Sequence, residues 1–350
     1  MTQARNNQIN ISDTPYYHCM GRCVRRAFLC GEDPLTGVDY SHRKGWIVNK
    51  LQELVEVFAI DVCAYAVMSN HYHVVLKIDH ELSAQISDDE VIERWMQLFN
   101  GHILIQRYLK GDCKTEAEIA EVQMTIKLWR ERLSDISWFM RCLNETIARR
   151  ANAEDQCTGR FWEGRFKSQA LLNEQAVLSC MVYVDLNPVR AGLADSLDKS
   201  EFTSIAQRIR EVGVRCEVLG FKEEQKIRTD RKILKLADFV GGKPLSGIPF
   251  LFKDYLALAD WTGRVVRDDS PRGYSLASGQ FTSKQGAISE KEPRIIARLG
   301  IDAEKWIETV KEYSKSYHAF VGSEKQLKAV CEKSGKKWLS GIRQSRLLFN

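Results

Sequence analysis

Apolar and polar positions follow two periods along the first half of the chain, and the periods mark out strands and helices. Tyr16–Cys23 is rich in aromatic and small residues and predicts a first strand. From Arg43 to Phe58, the residues Trp46, Ile47, Leu51, Leu54, Val55 and Phe58 recur at helical spacing and make one apolar face. Apolar residues then run through Val62–Met68, break at Ser69-Asn70, and resume over His71–Ile78. Two strands meeting at so tight a turn predict an antiparallel hairpin.

Helical patterns follow over Asp88–Leu109, Glu116–Leu133 and Ser137–Ala151. Gly159 and Gly164 bound a turn that leads into a strand near Phe166–Leu172. Asn173 is a good N-cap for a helix from Glu174 to about Asn187, where Pro188 stops or kinks it. Further on, Ser200–Val212, Thr229–Val240 and Asp302–Tyr317 read as helices. Asp268–Glu292 is poor in large apolar residues and rich in Ser, Gly and charge, so it reads as a linker or mobile loop. The order of elements in the first half predicts an α+β sandwich with one antiparallel sheet backed by helices.

Composition narrows the class without choosing a function. The chain has 350 residues, 44% hydrophobic and 28% charged, enough to bury a core. A net charge of +5 tolerates an anionic partner but does not demand one. The ten cysteines form no CxxC pair and read as reduced thiols rather than a disulfide or zinc framework. No apolar run reaches the roughly 18 residues of a membrane span, and Met1–Asp13 carries no signal-peptide pattern. The expectation is a cytoplasmic protein with no membrane partner and, in a bacterial-type cell, access to the nucleoid.

Three segments carry candidate chemistry. In His71-Tyr72-His73, strand alternation puts both histidines on one face and Tyr72 on the other. Their Cα atoms stand roughly 6–7 Å apart, close enough for two imidazoles to share a divalent ion. Taken alone, such a pair is more often a pair of packed or exposed strand histidines. Tyr183 and Asn187 lie four apart on one helical face. They flank the apolar stripe of Val177, Met181, Val184 and Pro188, where a tyrosine can face a cleft or simply sit half-buried. The stretch Arg160, Phe161, Trp162, Arg165, Phe166, Lys167, with Arg149, Arg150 and Arg190 nearby, mixes cations with aromatic rings. That mixture suits unstacked bases and phosphates, and suits a solvated hairpin with a few core aromatics equally well.

Taken in order, Met68-Ser69-Asn70-His71-Tyr72-His73, GRFWEGRFK at 159–167 and YVDLNPVRAGL at 183–193 resemble the HUH transposases, and especially the REP-associated tyrosine transposases. The resemblance covers roughly Pro15 to Leu193. It implies a ferredoxin-like domain with the histidine pair on a central strand and the tyrosine on a helix beside it. It implies Tyr183 as nucleophile and His71, His73 and Asn187 as ligands of Mg²⁺ or Mn²⁺. Arg160, Trp162, Arg165, Lys167 and Arg190 become the DNA-binding residues. The implied reaction cuts and rejoins single-stranded DNA at hairpin or palindromic ends, through a 5′-phosphotyrosine and a free 3′-hydroxyl, with no ATP. The sequence has no P-loop motif.

The sequence departs from the family pattern at Tyr72, where an aliphatic residue is usual, and at Ser69, where proline is common. Tyr72 should still point to the opposite face, where its hydroxyl needs a partner or water. The implied organisation is a catalytic domain over 1–195 with a helical insertion at about 80–135, a helical extension over 196–267, a linker over 268–292 and a small helical unit over 293–350. Monomer and homodimer are both compatible with the resemblance. His18, in the first strand, is a conceivable general base, although a structural histidine fits that position better.

Three rival readings stand beside this one. A hairpin-binding regulator on the same fold would bind without cutting. A zinc hydrolase would combine the histidine pair with a carboxylate such as Asp79. A replication-initiator nickase would carry a helicase module, which the length and the missing P-loop disfavour.

Overall fold

A computed structural model describes residues 9, 13–24, 29–33, 37–212, 234–241, 247–267, 274–275, 280–281, 292–335, 339, 341–342 and 345–346. The first part runs β1 (Tyr16–Arg22), α1 (Arg43–Val57), β2 (Ile60–Val67), β3 (His71–Ile78), α2 (His80–Gln85), α3 (Asp88–Met96), α4 (Ile103–Leu109), α5 (Glu116–Leu133) and α6 (Ile136–Glu154). Then come β4 (Lys167–Leu171), α7 (Glu174–Asp185), α8 (Asn187–Arg190), α9 (Ser204–Val212) and α10 (Phe252–Val266). The rest comprises β5 (Tyr274–Ser275), β6 (Gln280–Phe281), α11 (Arg294–Arg298), α12 (Ala303–Ser316), β7 (Phe320–Val321) and α13 (Glu324–Ser334).

The fold is α+β and ferredoxin-like, with a largely helical C-terminal region. Its sheet has the order β2-β3-β1-β4-β7. The first four strands pair antiparallel, whereas β7 joins β4 in parallel. The sequence pattern predicts no strand at β7, because two residues are too few to show alternation. Helices cover both faces. One core joins Ala64, Val75, Met181, Trp306 and Tyr313. The other joins Tyr17, Tyr72, Leu76, Phe139 and Trp129. Burial against both sides leaves β2 and β3 buried almost throughout, and lets β2 run apolar at every position but Asp61.

Helix ends follow their capping residues. A reciprocal capping box between Thr115 and Glu118 starts α5, which spans the residues its periodicity predicts. The Asn173 side chain accepts from Ala176 N at the head of α7, and Asp302 does the same for Lys305 N at α12. The pattern over Asp88–Leu109 predicts one helix, but the chain forms two. Between them Phe99 turns back to stack on Trp95, ring centroids 4.6 Å apart, and to meet Trp138 edge-on. Aromatic packing there outweighs continuation of the helix.

The helix expected over Thr229–Val240 is not formed in its described part, residues 234–240, which run without helix. Leu236 bridges Val62 and Phe239 bridges Ile248, both in parallel. Ala237 N donates to Val62 O, and Lys235 N donates to Gln52 Oε1. The contact of Leu236 and Ala237 with Val62 covers the edge of β2 beside its irregularity at Val62/Ala64. Arg208, buried on α9, fixes the same place by donating to the Cys63 and Ala237 carbonyls. Residues 229–233 lie outside the described residues, as does most of 268–292, where the β5–β6 pairing is described. The described cysteines are free thiols. Among the described residues, no helix is long and apolar enough to cross a membrane.

Candidate functional site

The strand register gathers the site. Directly paired residues share a face, so Arg22 and His71 point together, as do Met20 and His73, and Met20 and Lys167. His18 sits opposite Gln169 and diagonal to His73 on that same face. Helix α7 lies over this face and brings Tyr183 down on it. The Tyr183 ring meets His73 edge-on with centroids 5.6 Å apart, and meets His18 at 6.2 Å. His71 and His73 are 4.9 Å apart, centroid to centroid. The two histidine positions and the tyrosine, distant in sequence, thus form one cluster.

Tyr72 goes to the opposite face, as strand alternation predicts. Its hydroxyl donates to Asn144 Oδ1 at 2.6 Å, which supplies the partner a buried phenol needs. Its ring covers Gly21 so closely that a Cβ there would fall 2.6 Å from Tyr72 Cε1. The glycine is therefore what admits a tyrosine between the two histidines.

Burial governs the protonation of the histidines. It pushes His18 down to about 4, although the Gln169 hydrogen bond pulls the other way. Burial, then the Arg22 charge, pushes His71 down to about 4. Burial, then the neighbouring His18, His71 and Arg190, holds His73 well below the ordinary range. At neutral pH all three are neutral imidazoles. His18 has both ring nitrogens engaged, Nδ1 with Gln169 Oε1 at 2.7 Å and Nε2 with His73 Nδ1 at 2.9 Å. His71 uses Nδ1 toward Asn70 Oδ1 at 2.6 Å. His73 Nε2 is buried with no hydrogen-bond partner.

Asn187 stands half-buried at the start of α8, beyond the end of α7. The tyrosine helix ends at Asp185, two residues sooner than its pattern predicts, and Asn187 begins a separate turn with Pro188 in its first positions. Asp185 points inward and accepts from Ser204 Oγ, Ile205 N and the Tyr255 hydroxyl. Arg190 lays its guanidinium 4.8 Å from the Tyr183 ring centre and donates to Lys311 O.

The remaining expected DNA contacts divide between the faces. Lys167 is exposed on the histidine face, and Arg22, which the sequence pattern did not single out, is exposed beside His71. Trp162 lies on the other side, edge-on to Tyr72, with Nε1 donating to Asn144 O. Arg165 joins it there around a groove of about 420 Å³ lined also by Met140, Ala148 and Phe166 of α6 and its neighbouring loop. Arg160 is exposed in the loop that leads to β4. The structure therefore brings together Tyr183, His71, His73, Lys167 and Arg190, and separates Trp162 and Arg165 from them.

The C-terminal region closes over the cluster. Tyr313 of α12 stacks on Tyr183, and Tyr317 O accepts from Gln169 Nε2. Tyr183 is left 6% exposed. Among the described residues, no group of three or more His, Cys, Asp or Glu side chains forms a ready metal cluster.

No protein-family model matches the chain, and no curated protein matches it. Among solved structures, the chain is similar to one described as a REP-associated tyrosine transposase bound to a REP hairpin. The TM-score is 0.37 and the identity 11%, over 67% of this chain and 100% of that one. A likeness of that degree leaves the function to be argued from this chain's own residues.

Proposed function

We propose that the protein cleaves and rejoins single-stranded DNA at hairpin or palindromic ends, with Tyr183 as nucleophile. The observation that supports this reading is the meeting of Tyr183 with a neutral histidine pair, of which His73 keeps a buried nitrogen without a partner. A hydrogen-bonding nitrogen left bare inside a protein costs stability, so it calls for a ligand.

Two neutral imidazoles and an amide oxygen fit a divalent cation. His71, His73 and Asn187 would hold Mg²⁺ or Mn²⁺, with the imidazoles favouring Mn²⁺. Such an ion supplies Lewis-acid stabilisation of the charge on the scissile phosphate. The chain's own groups do the rest. Tyr183 Oη forms a bond to phosphorus and gives up its proton, while the bond to the 3′ oxygen breaks and that oxygen takes a proton. The phosphotyrosine retains the phosphodiester's energy, so a 3′-hydroxyl can reverse the step without ATP. Arg190 holds the Tyr183 ring, and the exposed cations Arg22 and Lys167 attract the DNA backbone to the histidine face. In this reading residues 1–195 carry the chemistry, and α12 with Tyr317 packs over it from the C-terminal unit.

The test incubates the protein with labelled single-stranded hairpin DNA and Mg²⁺ or Mn²⁺ and looks for a covalent adduct on a denaturing gel. An adduct lost in Tyr183→Phe and His71→Ala supports the reading. Metal-dependent cleavage that persists in Tyr183→Phe sinks it and favours a hydrolase. One observation favours the second reading, a hairpin-binding regulator that does not cut: the stacked Tyr313 covers the nucleophile. Tight metal-independent hairpin binding with no adduct would support that alternative.

A further inference from the structure

Three hydrogen bonds in series determine where His73 carries its proton. The chain starts at a backbone carbonyl, Tyr317 O, which can only accept. Gln169 Nε2 donates to it at 2.7 Å, so the other amide atom, Oε1, is the one that faces His18. An amide oxygen also only accepts, and the ring nitrogen 2.7 Å from it is His18 Nδ1. His18 therefore bears its hydrogen on Nδ1, and in the neutral ring Nε2 is left as a lone pair. That lone pair lies 2.9 Å from His73 Nδ1, which must then be the donor. The remaining nitrogen of His73, Nε2, is bare, buried and unpartnered.

We propose that Gln169 and His18 are positioning residues that lock His73 in its Nδ1–H form and present its Nε2 lone pair to the site. This inference rests on the functional reading above for what the lone pair meets, and names the groups that prepare it. A ligating or proton-accepting histidine needs one nitrogen free and the ring fixed, and a hydrogen bond at the other nitrogen does both. Here that bond is backed by a second histidine and an amide, and its polarity originates in the C-terminal region. The bonds link β3, β1 and β4 across the sheet to the residue after α12. The C-terminal region thereby contributes to the histidine face directly, through one carbonyl oxygen.

The test reads the tautomer itself. The metal-free full chain, labelled with ¹⁵N only in its seven histidines, is observed by long-range proton–nitrogen NMR at neutral pH, with His73→Gln to assign the signals. Wild type is expected to show a protonated Nδ1 and a bare Nε2 at His73. His18→Phe and Gln169→Leu are expected to move a share of the His73 proton to Nε2. His18→Gln, which places an amide oxygen near the lost acceptor, is expected to hold the wild-type form. Mn²⁺ affinity, read by titration calorimetry, should fall roughly 10–100-fold in His18→Phe and Gln169→Leu and recover in His18→Gln.

A purely structural role would cost stability in these variants without moving the tautomer. A protonated Nε2 in wild type, or a His73 signal indifferent to both His18→Phe and Gln169→Leu, overturns the proposal. If the tautomer behaves as stated but wild type binds neither Mn²⁺ nor Mg²⁺, the positioning role stands and the metal-dependent reading of the site falls.

Discussion

Tyr313 stacks on Tyr183, with ring centroids 4.7 Å apart and planes inclined by 22°. The nucleophile proposed for a DNA phosphate is thus covered by a second, fully buried tyrosine from a helix near the C-terminus. The stack covers one face of the Tyr183 ring and leaves the residue 6% exposed, so in our reading a phosphodiester gains room at Tyr183 when α12 gives way. An aromatic pair contributes about 1 kcal/mol beyond the area it buries. Releasing it should raise the accessible fraction about fivefold. Tyr313→Leu keeps apolar volume and removes the ring, so we expect adduct formation to start about five times faster than in wild type. An unchanged rate in a folded variant would mean that α12 does not limit access.

Tyr72 lies next to both histidines in sequence but across the sheet from Tyr183. Tyr72→Phe should therefore keep the covalent adduct. It should cost about 1–2 kcal/mol of stability, because Asn144 Oδ1 loses its donor in a part-buried place. The gel assay and a urea titration on the same protein read the two effects separately. Loss of the adduct in well-folded Tyr72→Phe would put the nucleophile on the wrong face in our reading.

Much of this site is legible in the sequence because strand and helix periods place side chains on faces. The pair His71 and His73, the opposite orientation of Tyr72 and the bounds of β3 and α5 all follow from local pattern. The relay is not legible, since His18 meets Gln169 only through a strand register spanning 151 residues of sequence. Tyr313 is likewise invisible as a site residue, because its spacing on α12 reads simply as an apolar face. Trp162 and Arg165 stand shortly before the tyrosine helix in sequence, and the family resemblance implies that they bind DNA. The loop that carries them folds back onto α6, and neighbourhood in sequence does not determine the face. Residues 234–240 depart from their helical pattern for a different reason: their backbone groups bond to β2, to Gln52 of α1, to Gln207 and Arg208 of α9 and to Ile248, a tertiary demand that overrides local helical preference.

Asp185 sits within the same motif as Tyr183 but turns away from it into the core. Its carboxylate is fully buried and takes hydrogen bonds from the head of α9 and from Tyr255 on α10. Asp185→Ala leaves three buried donors without an acceptor and should destabilise the protein by about 3 kcal/mol or more. Asp185→Asn keeps one acceptor oxygen and should cost less. Urea midpoints of both variants check the order. Equal midpoints for Asp185→Ala and wild type would remove the carboxylate as the tie between the tyrosine helix and its neighbours.

His18 makes stability depend on pH with a definite sign. Its folded value is about 4 and its ordinary value 6.5, lowered chiefly by burial. Between those values the unfolded chain binds more protons than the folded one, so stability rises with pH through this window. The contribution is fully present above about pH 6.5 and is lost as pH falls toward 4. For so buried a ring the loss is on the order of 3 kcal/mol. His71 adds a loss of the same sign over the same window. In metal-free protein, the urea midpoint should fall more steeply from pH 7 to pH 4.5 for wild type than for His18→Gln, which has no titrating ring. Parallel pH profiles for the two proteins would show that His18 is not the buried neutral base described here.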